Sequence, residues 1–374
     1  MPLQGRPRRL WLVAHRWLGL SLGAVLLVSA VTGTLLAALR PLEHARAPAV
    51  QPGLGGPVAA SALPWQAALD ELRRLHGPHA SFTFRPPRQS DETLWVFVRG
   101  PRWNGTAYFH PTQGRLLAQI GERERLFGQL FELHSELWSG DIGKGVLSVA
   151  ALAYLLLTVS GLLLWWPARW HQGVCIKWSA GGTRRLFDLH RVVGAAAGLL
   201  VLVCVASGAY MAWRPISQWV TRAAGASTLA PPAVLRASPQ APPVPLDVLV
   251  TRGLAQWPQA RAGYVQVPAG EERPVRLRLR LADDPHPNGL SSVWLHPRTG
   301  EVLAAHRWTA LDPGARAYAV VYPLHTGEWG GPLHRVAVGA AGVILAGYGI
   351  TGVWLWWRRR RTSARPRSAV VGSS

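Results

Sequence analysis

The sequence predicts an α-helical membrane protein with four transmembrane helices, two extracytoplasmic α+β domains and an internal duplication. Three observations lead to this fold class. The chain contains four long uncharged runs, its basic residues cluster beside those runs, and the same order of segments occurs twice. Each run is longer than the roughly 20 apolar residues that a membrane-spanning helix needs, which is typical of spans rather than of buried core helices.

The four runs are Trp17–Leu39, Gly145–Ala168, Val192–Trp213 and Val336–Trp357. At a rise of about 1.5 Å per residue, the shortest of them forms a helix about 33 Å long, which can cross the bilayer core. The first run could instead be a cleaved signal peptide. It is longer than the usual apolar region of a signal peptide and carries a repeated histidine, so we expect it to be retained.

Positive charge predicts the orientation of these spans. The N-terminus, the short loop between spans two and three, and the C-terminal tail together contribute +14 of the formal net charge of +21. Such an excess marks the cytoplasmic side of a membrane protein. Both termini are therefore expected in the cytoplasm and the two long segments outside it. The basic residues serve as a topology signal and contact lipid, so nucleic acid is not an expected partner.

The two extracytoplasmic segments share one pattern. Each has a Pro-rich linker (40–60 and about 223–245), then a helix (Pro64–His76 and Leu246–Trp257), strands and a hairpin. The hairpins at 108–118 and 294–304 align without a gap. The predicted segments are 1–39 (N-terminus and span one), 40–143 (first α+β domain), 144–168 (span two), 169–187 (cytoplasmic loop), 188–213 (span three), 214–331 (second α+β domain), 332–357 (span four) and 358–374 (tail).

Four histidines form two repeat-related pairs. His15 and His190 each precede a Ser/Thr-Gly dipeptide of the following span, and the separation from His15 to Gly33 equals that from His190 to Gly208. His134 and His325 likewise precede Gly161 and Gly352, in the equivalent dipeptides of spans two and four, by one common and longer separation. By topology the first pair lies at the cytoplasmic face and the second at the outer face.

Each histidine alone could be an interfacial residue beside the headgroups. Two equivalent pairs favour function instead, because an ionisable group at membrane depth is costly unless it has a role. Two facing imidazoles supply the axial ligands of a six-coordinate haem iron. Zinc would need four ligands, and no such cluster occurs in the sequence. The chain has no Cys-x-x-Cys-His motif, so any haem would be bound non-covalently. The Ser/Thr-Gly dipeptides are expected to allow close helix approach or to make room for a flat ligand.

His334 is a further candidate, because it precedes Gly352 by the same separation that joins His15 to Gly33. It could replace or supplement His325 as a ligand of the outer haem, and we favour His325. His110 and His296 occupy equivalent hairpin turns and are expected to be turn residues. His76 and His286 follow no pattern and are expected to be solvated.

At these motifs the chain resembles the PepSY-associated transmembrane (PepSY-TM) family of iron-regulated bacterial inner-membrane proteins, which includes ferric-siderophore reductases. His-Arg-x-x-Gly opens spans one and three at His15 and His190, Leu-His precedes spans two and four, and Leu-Trp-Trp ends those two spans. The resemblance implies two b-type haems in the inner membrane and transfer of electrons to a ferric siderophore or other ferric chelate in the periplasm. The axial ligands would be His15, His190, His134 and His325, and His334 could replace or supplement His325. No nucleotide-binding motif appears, so the electron donor would be a separate cytoplasmic reductase or a quinol.

Two alternatives without redox activity remain open. The PepSY-like hairpins could belong to a peptidase-modulating module, in which the histidines would be dispensable. The protein could also be an accessory of siderophore uptake, although four spans without buried acidic residues offer little ion coupling.

Overall fold

The computed structural model describes residues 4–46, 58–223, 231–234, 242–270, 272–286 and 288–363. Most of the two predicted linkers, and Arg365 and Arg367 of the basic tail, lie outside the described residues. The chain divides into two compact units. The helical unit comprises Met1–Ala38, Leu130–Ile216 and His325–Ser374, and the sheet unit comprises Leu39–Gln129 and Ser217–Leu324.

Helices and strands follow a similar order in both halves of the chain, except that the short helices α5 and α7 have no counterpart. The helices are α1 (Gly5–Arg46), α2 (Trp65–His76), α3 (Leu126–Glu136), α4 (Gly140–Trp165), α5 (Trp170–Val174), α6 (Gly182–Ala212), α7 (Arg214–Ala223), α8 (Leu246–Leu254), α9 (Pro313–Thr326) and α10 (Gly331–Ser363). The strands are β1 (Ser81–Arg85), β2 (Leu94–Arg99), β3 (Asn104–Phe109), β4 (Leu116–Gly121), β5 (Arg261–Val267), β6 (Val275–Arg280), β7 (Ser291–Leu295) and β8 (Val302–His306).

The helical unit is built from α1, α4, α6 and α10, and each contains one of the four predicted runs. Among the described residues, these four helices are long and apolar enough to cross a membrane. Both α4 and α10 pack against α6. The helix α10 also approaches α1 closely, because a Cβ added at Gly342 would collide with the Thr34 side chain. Buried apolar side chains such as Leu26, Tyr154 and Val201 form the centre of the bundle. The prediction of four apolar membrane helices is confirmed.

The sheet unit contains one antiparallel sheet of eight strands in the order β4-β3-β2-β1-β5-β6-β7-β8. Each half of the chain supplies a four-stranded meander, and β1 pairs with β5 so that Phe84 lies opposite Val265. The sequence predicted two α+β domains, whereas the structure joins both segments in one sheet with one hydrophobic core. Each meander alone would expose the long edge of β1 or β5 and would bury only a small core, so pairing removes both problems.

Alternating side chains give the sheet two different faces. The residues Phe82, Leu277 and Leu295 point to the face covered by α2 and α8, where they are fully buried. The helices α2 and α8 are joined through their N-termini. The Asp247 carboxylate accepts the backbone N–H groups of Trp65 and Gln66, and the Gln66 side chain in turn accepts the N–H of Leu246. These bonds satisfy N–H groups that the first turn of a helix leaves free.

The predicted elements of the sheet unit are found in the structure, which also contains the helices α7 and α9 and a strand that were not predicted. The predicted helix Pro64–His76 is found as Trp65–His76, and the predicted helix Leu246–Trp257 begins at the predicted residue and ends earlier, at Leu254. The strand β1 is absent from the sequence-based prediction, although it joins the two halves of the sheet.

Candidate functional site

The first histidine pair lies inside the helical unit and joins all four of its long helices. The rings of His15 on α1 and His190 on α6 have their centroids 6.4 Å apart and their planes at 89°. The His15 Nδ1 lies 2.8 Å from the Ser160 Oγ of α4. The His190 Nδ1 lies 2.7 Å from the Thr351 Oγ1 of α10. Both partners belong to Ser/Thr-Gly dipeptides.

The second pair has the same construction. The rings of His134 on α3 and His325 on α9 have their centroids 6.0 Å apart and their planes at 35°. The His134 Nδ1 lies 2.9 Å from the Ser29 carbonyl oxygen and 3.2 Å from the Thr32 Oγ1. The His325 Nδ1 lies 3.0 Å from the Cys204 carbonyl oxygen and 3.1 Å from the Ser207 Oγ. Burial lowers the pKa of His134 and lowers that of His325 to about 4, so both imidazoles are neutral at physiological pH.

The hydrogen bonds determine which ring nitrogen carries the proton. A carbonyl oxygen only accepts, so His134 and His325 must each donate from Nδ1. The hydroxyl partners already donate elsewhere, since Ser160 and Thr351 are bonded to the carbonyl oxygens of Leu157 and Gly347 in their own helices. They must therefore accept from His15 and His190. All four histidines thus donate from Nδ1, and no hydrogen bond within the described residues engages Nε2, which carries the lone pair when the imidazole is neutral.

The glycine of each dipeptide lies beside a histidine ring. A Cβ added at Gly33 would lie 2.8 Å from the His134 Cε1, and one at Gly208 would lie 2.9 Å from the His325 Cε1. These distances are shorter than real Cβ contacts, so any larger residue would displace the ring. The equivalent distances at the first pair are 3.4 Å for Gly161 with His15 and 3.9 Å for Gly352 with His190. The dipeptide therefore supplies a hydrogen-bond partner at both pairs, and its glycine is needed to make room for the ring at the second pair, whereas an alanine would fit at the first.

The spacing within each pair fits two imidazoles that share one metal ion. A metal–imidazole bond is about 2 Å long, so the path from one ring centroid through a shared iron to the other ring centroid would be about 6 Å. The observed 6.4 Å and 6.0 Å agree with this value. No group of three or more His, Cys, Asp or Glu side chains able to hold a metal ion is found among the described residues. A two-histidine centre needs a ligand that fills the remaining positions around the metal, which a porphyrin does.

Comparison with known families agrees with this arrangement. The model of a family described as the PepSY-associated TM region matches residues 12–359, which include both histidine pairs and all eight strands. The chain belongs to the PepSY-associated TM family. None of the curated proteins compared with the chain matches it.

Three other histidines, His334, His110 and His296, form hydrogen bonds with nearby backbone groups. The His334 Nδ1 accepts the backbone N–H of Gly330 at 3.1 Å, at the start of α10, whereas the ring of His325 lies beside that of His134. The structure thus joins His325, and not His334, to the second pair. His110 and His296 accept backbone N–H groups two and three residues ahead, as expected for turn residues.

Two histidines that were expected to be solvated have partners in the structure. The His76 ring stacks on Trp103 with a centroid distance of 4.7 Å, and its Nε2 bonds to the Gln119 side chain. His286 is 2% exposed. The expectation was wrong for His286, because sequence periodicity does not reveal which side chains a loop residue meets, whereas His76, at the end of α2, is half-exposed.

The hydrogen-bond partners of the four ligand candidates are absent from the sequence-based prediction. Each of the four predicted spans contains one Ser/Thr-Gly dipeptide, and the pattern of these four dipeptides indicates helix packing or space for a ligand. It does not indicate that their hydroxyl groups bond to the Nδ1 atoms. The equal number of dipeptides and paired histidines, at constant spacing, is the signal that could have revealed this role.

Proposed function

We propose that the protein is a di-haem b transmembrane electron-transfer protein that reduces ferric chelates, including ferric siderophores, on the outer side of the bacterial inner membrane. The observation that carries this proposal is the presence of two histidine pairs, with ring centroids 6.4 and 6.0 Å apart, whose Nδ1 atoms are all held by hydrogen bonds. A pair built only for packing would have no need to leave both Nε2 lone pairs free.

Each residue has a defined task in this proposal. The Nε2 atoms of His15 and His190 would hold one haem, and those of His134 and His325 would hold the other. The hydroxyl and carbonyl partners orient the rings and raise their basicity, as outer-shell partners do for metal-bound histidines. Haem b, when bound, supplies a one-electron redox centre. A cytoplasmic reductase or a quinol would provide the electron, and the ferric iron of the chelate would take it up as Fe²⁺.

The separation of the two pairs fits a conduit across the bilayer. Along α1, His15 and the Ser29–Thr32 turn that holds His134 are about 16 residues apart, which corresponds to about 24 Å of helix. The distribution of basic residues supports cytoplasmic termini and an extracytoplasmic sheet unit. The similar element order of the two halves supports the internal duplication that would have produced two equivalent pairs.

The first experiment measures haem. Protein purified from haem-replete cells is expected to show the absorption bands of reduced b-type haem and about two haems per chain in a pyridine haemochrome assay. His15→Ala or His190→Ala is expected to remove one haem, and His134→Ala or His325→Ala the other. The controls His334→Ala and His110→Ala should retain both. A colourless wild-type protein would contradict the proposal.

The second experiment measures electron transfer. Dithionite-reduced protein, freed of excess reductant, is mixed with a ferric chelate, and Fe²⁺ is trapped by a ferrous-specific dye. The wild type should be reoxidised while Fe²⁺ appears in equal amount, and the variants at His134 or His325 should be much slower. If cells that carry the His134 or His325 variants took up iron from the chelate as well as wild-type cells, a peptidase-modulating or uptake-accessory role would be supported instead.

A further inference from the structure

One face of the sheet carries a concentration of arginine side chains. It lies opposite the face covered by α2 and α8. Arg278 of β6, Arg85 of β1 and Arg88 in the loop after β1 lie around Tyr264 of β5, and Arg276 lies two residues before Arg278 on the same face of β6. We call these five residues the arginine face. Arg278 lies opposite Tyr264 in the register of β5 and β6, and its guanidinium carbon is 5.7 Å from the centre of that ring.

The guanidinium groups of this face have mostly neutral partners. Arg276 donates to the Ser292 Oγ at 2.8 and 3.1 Å, and Arg278 donates to the Gly289 carbonyl oxygen at 2.6 Å. Arg88 donates to the Asn288 side chain. Hydrogen bonds to neutral groups orient an arginine but do not neutralise its charge.

Arg85 is the most deeply buried of the group, since only 3% of it is exposed. Its Nη2 forms an ion pair with Glu92 at 3.2 Å, and its guanidinium lies 4.4 Å from the centre of the Trp95 ring. Its Nη1 is buried and has no hydrogen-bond partner in the described residues, and the same is true of the Arg278 Nε. Buried donors without partners are rare in folded proteins and call for an acceptor.

Carboxylates near the arginine face do not balance its charge. Glu92 pairs with Arg85, and it also accepts the backbone N–H of Arg88 at 2.7 Å. Asp284 lies near Arg278 and stabilises its charge, and the two Asp284 oxygens also accept the N–H groups of Leu281 and Leu290, so two carboxylates stand against four guanidinium groups. Burial, followed by repulsion from Arg278, lowers the pKa of Arg276 to about 10. Within the part of the chain that the structure describes, the four guanidinium groups thus have two carboxylates nearby, of which one is ion-paired.

We propose that the arginine face binds a small polyanion, and specifically a ferric chelate whose iron ligands are carboxylates or phenolates and whose net charge is negative. This inference rests on the proposed function and specifies the charge class of its substrate. Arginine recognises carboxylate and phenolate oxygens through two parallel N–H donors. The rings of Trp95, Tyr264 and Trp294 hold the guanidinium groups by stacking contacts, so little side-chain freedom is lost on binding.

The excess of positive charge on the arginine face should also affect the stability of the ligand-free protein. Buried positive charges without counter-charges destabilise a fold, and their replacement by apolar residues of similar length is neutral or stabilising. Residues that cost stability are typical of binding sites. Arg278→Met should therefore leave the melting temperature of the ligand-free protein unchanged or raise it, while it weakens the binding of the anion.

The test uses full-length protein in nanodiscs of phosphatidylcholine, without reductant, and measures the binding of radiolabelled ferric citrate by equilibrium dialysis. The Arg276→Gln/Arg278→Gln double variant is expected to bind at least about tenfold more weakly, because each charged hydrogen bond contributes about a factor of ten. The control Arg115→Gln removes an exposed charge from the β3–β4 turn and should change the affinity less than about twofold. The affinity of the wild type should fall as salt is added.

Several outcomes would overturn the inference. Equal affinity of the wild type and the double variant would do so, as would equally strong binding of a ferric trihydroxamate that carries a free ammonium group. A lipid phosphate is a second source of the same anionic chemistry. If phosphatidylglycerol in the nanodisc abolishes citrate binding, the arginines take lipid headgroups and the chelate assignment is wrong. A loss of stability in Arg278→Met with unchanged binding would mean that the arginine is only structural.

This experiment separates the two proposals. Binding needs neither haem nor an electron, so a protein that binds ferric citrate but contains no haem would contradict the proposed function alone. A haem-containing protein that reduces anionic and cationic chelates equally well, and is insensitive to the arginine variants, would contradict the arginine face alone.

Discussion

A single methyl group added at Gly33 should displace the second histidine pair without unfolding the protein. The Cβ of Gly33→Ala would lie 2.8 Å from the His134 Cε1 and 3.2 Å from its Nδ1, whereas an ordinary contact begins at 3.4 Å. The ring or the helix must therefore move by about 0.6 Å, which exceeds the roughly 0.5 Å tolerance of a well-built ligand site. The movement also lengthens the bonds from the His134 Nδ1 to Ser29 and Thr32, each of which contributes about 1 kcal/mol.

The Gly33→Ala substitution should not destabilise helix α1. Alanine is favoured over glycine inside a helix by about 1 kcal/mol, so loss of cofactor from Gly33→Ala would not reflect loss of structure. The matched control is Gly352→Ala, where the new Cβ would lie 3.9 Å from the His190 Cε1, an ordinary contact. Both variants place a methyl group in a Ser/Thr-Gly dipeptide of a long helix, and they differ in the distance to the ring.

The assay is haem per chain together with a redox titration of the purified protein. Gly33→Ala is expected to lower the haem content from about two towards one, or to shift the midpoint potential of one haem, while Gly352→Ala keeps both haems and both potentials. If Gly33→Ala retained two haems with unchanged spectra and potentials, the argument that this glycine makes room for a ligand ring would be refuted.

Three further outcomes follow from the structure. The two ring pairs have different interplanar angles of 89° and 35°, so the oxidised protein should give two distinct low-spin ferric EPR signals, and two identical signals would contradict the assignment. Phe84→Ala, at a fully buried site, should lower the free energy of unfolding by about 3–5 kcal/mol in pulse proteolysis in urea, whereas Val248→Ala, at a position that is 38% exposed, should cost less than about 1 kcal/mol. Burial, followed by repulsion from Arg278, lowers the pKa of His286 to about 3. The unfolded chain therefore binds a proton that the folded chain does not, and stability falls by up to about 1.4 kcal/mol per pH unit as the pH drops below about 6.5. His286→Asn should reduce the dependence of stability on pH. An unchanged dependence would show that His286 is not the group responsible.

The spans and the histidine pairs could be predicted because they depend on features that are local or periodic. A long uncharged run needs no knowledge of its neighbours to be recognised as a span. The constant spacing between each histidine and its dipeptide identifies His15 with His190, and His134 with His325, as equivalent positions. Equivalent positions in two matching halves come together when the halves pack about a common axis. The sequence does not prove that packing, and the structure brings each pair together.

The sheet was harder to predict, because its decisive contacts join distant parts of the chain. The pairing of β1 with β5 connects Phe84 with Val265, and no local pattern reports such a contact. The alternation in Val275-Arg-Leu-Arg-Leu-Arg280 indicates one apolar and one charged face. It does not show that the charged face is partly buried, because burial depends on the other strands and loops around Arg276 and Arg278. The arginine face was therefore absent from the sequence-based interpretation.

The Ser/Thr-Gly dipeptide defines the ligand site better than the histidine does. A histidine at a helix end can form a local bond instead, as His334 does with Gly330. Each of the four paired histidines meets a hydroxyl group that already donates to its own helix, and next to that hydroxyl is a residue without a side chain. The hydroxyl can then only accept, which places the proton on Nδ1 and the lone pair on Nε2. Replacement of the hydroxyl, as in Ser160→Ala, should thus weaken haem binding at His15 even though the histidine remains, and the more conservative Ser160→Thr should preserve it. If Ser160→Ala bound haem as tightly as the wild type, the proposed role of the dipeptide would be wrong, and the histidine alone would define the site.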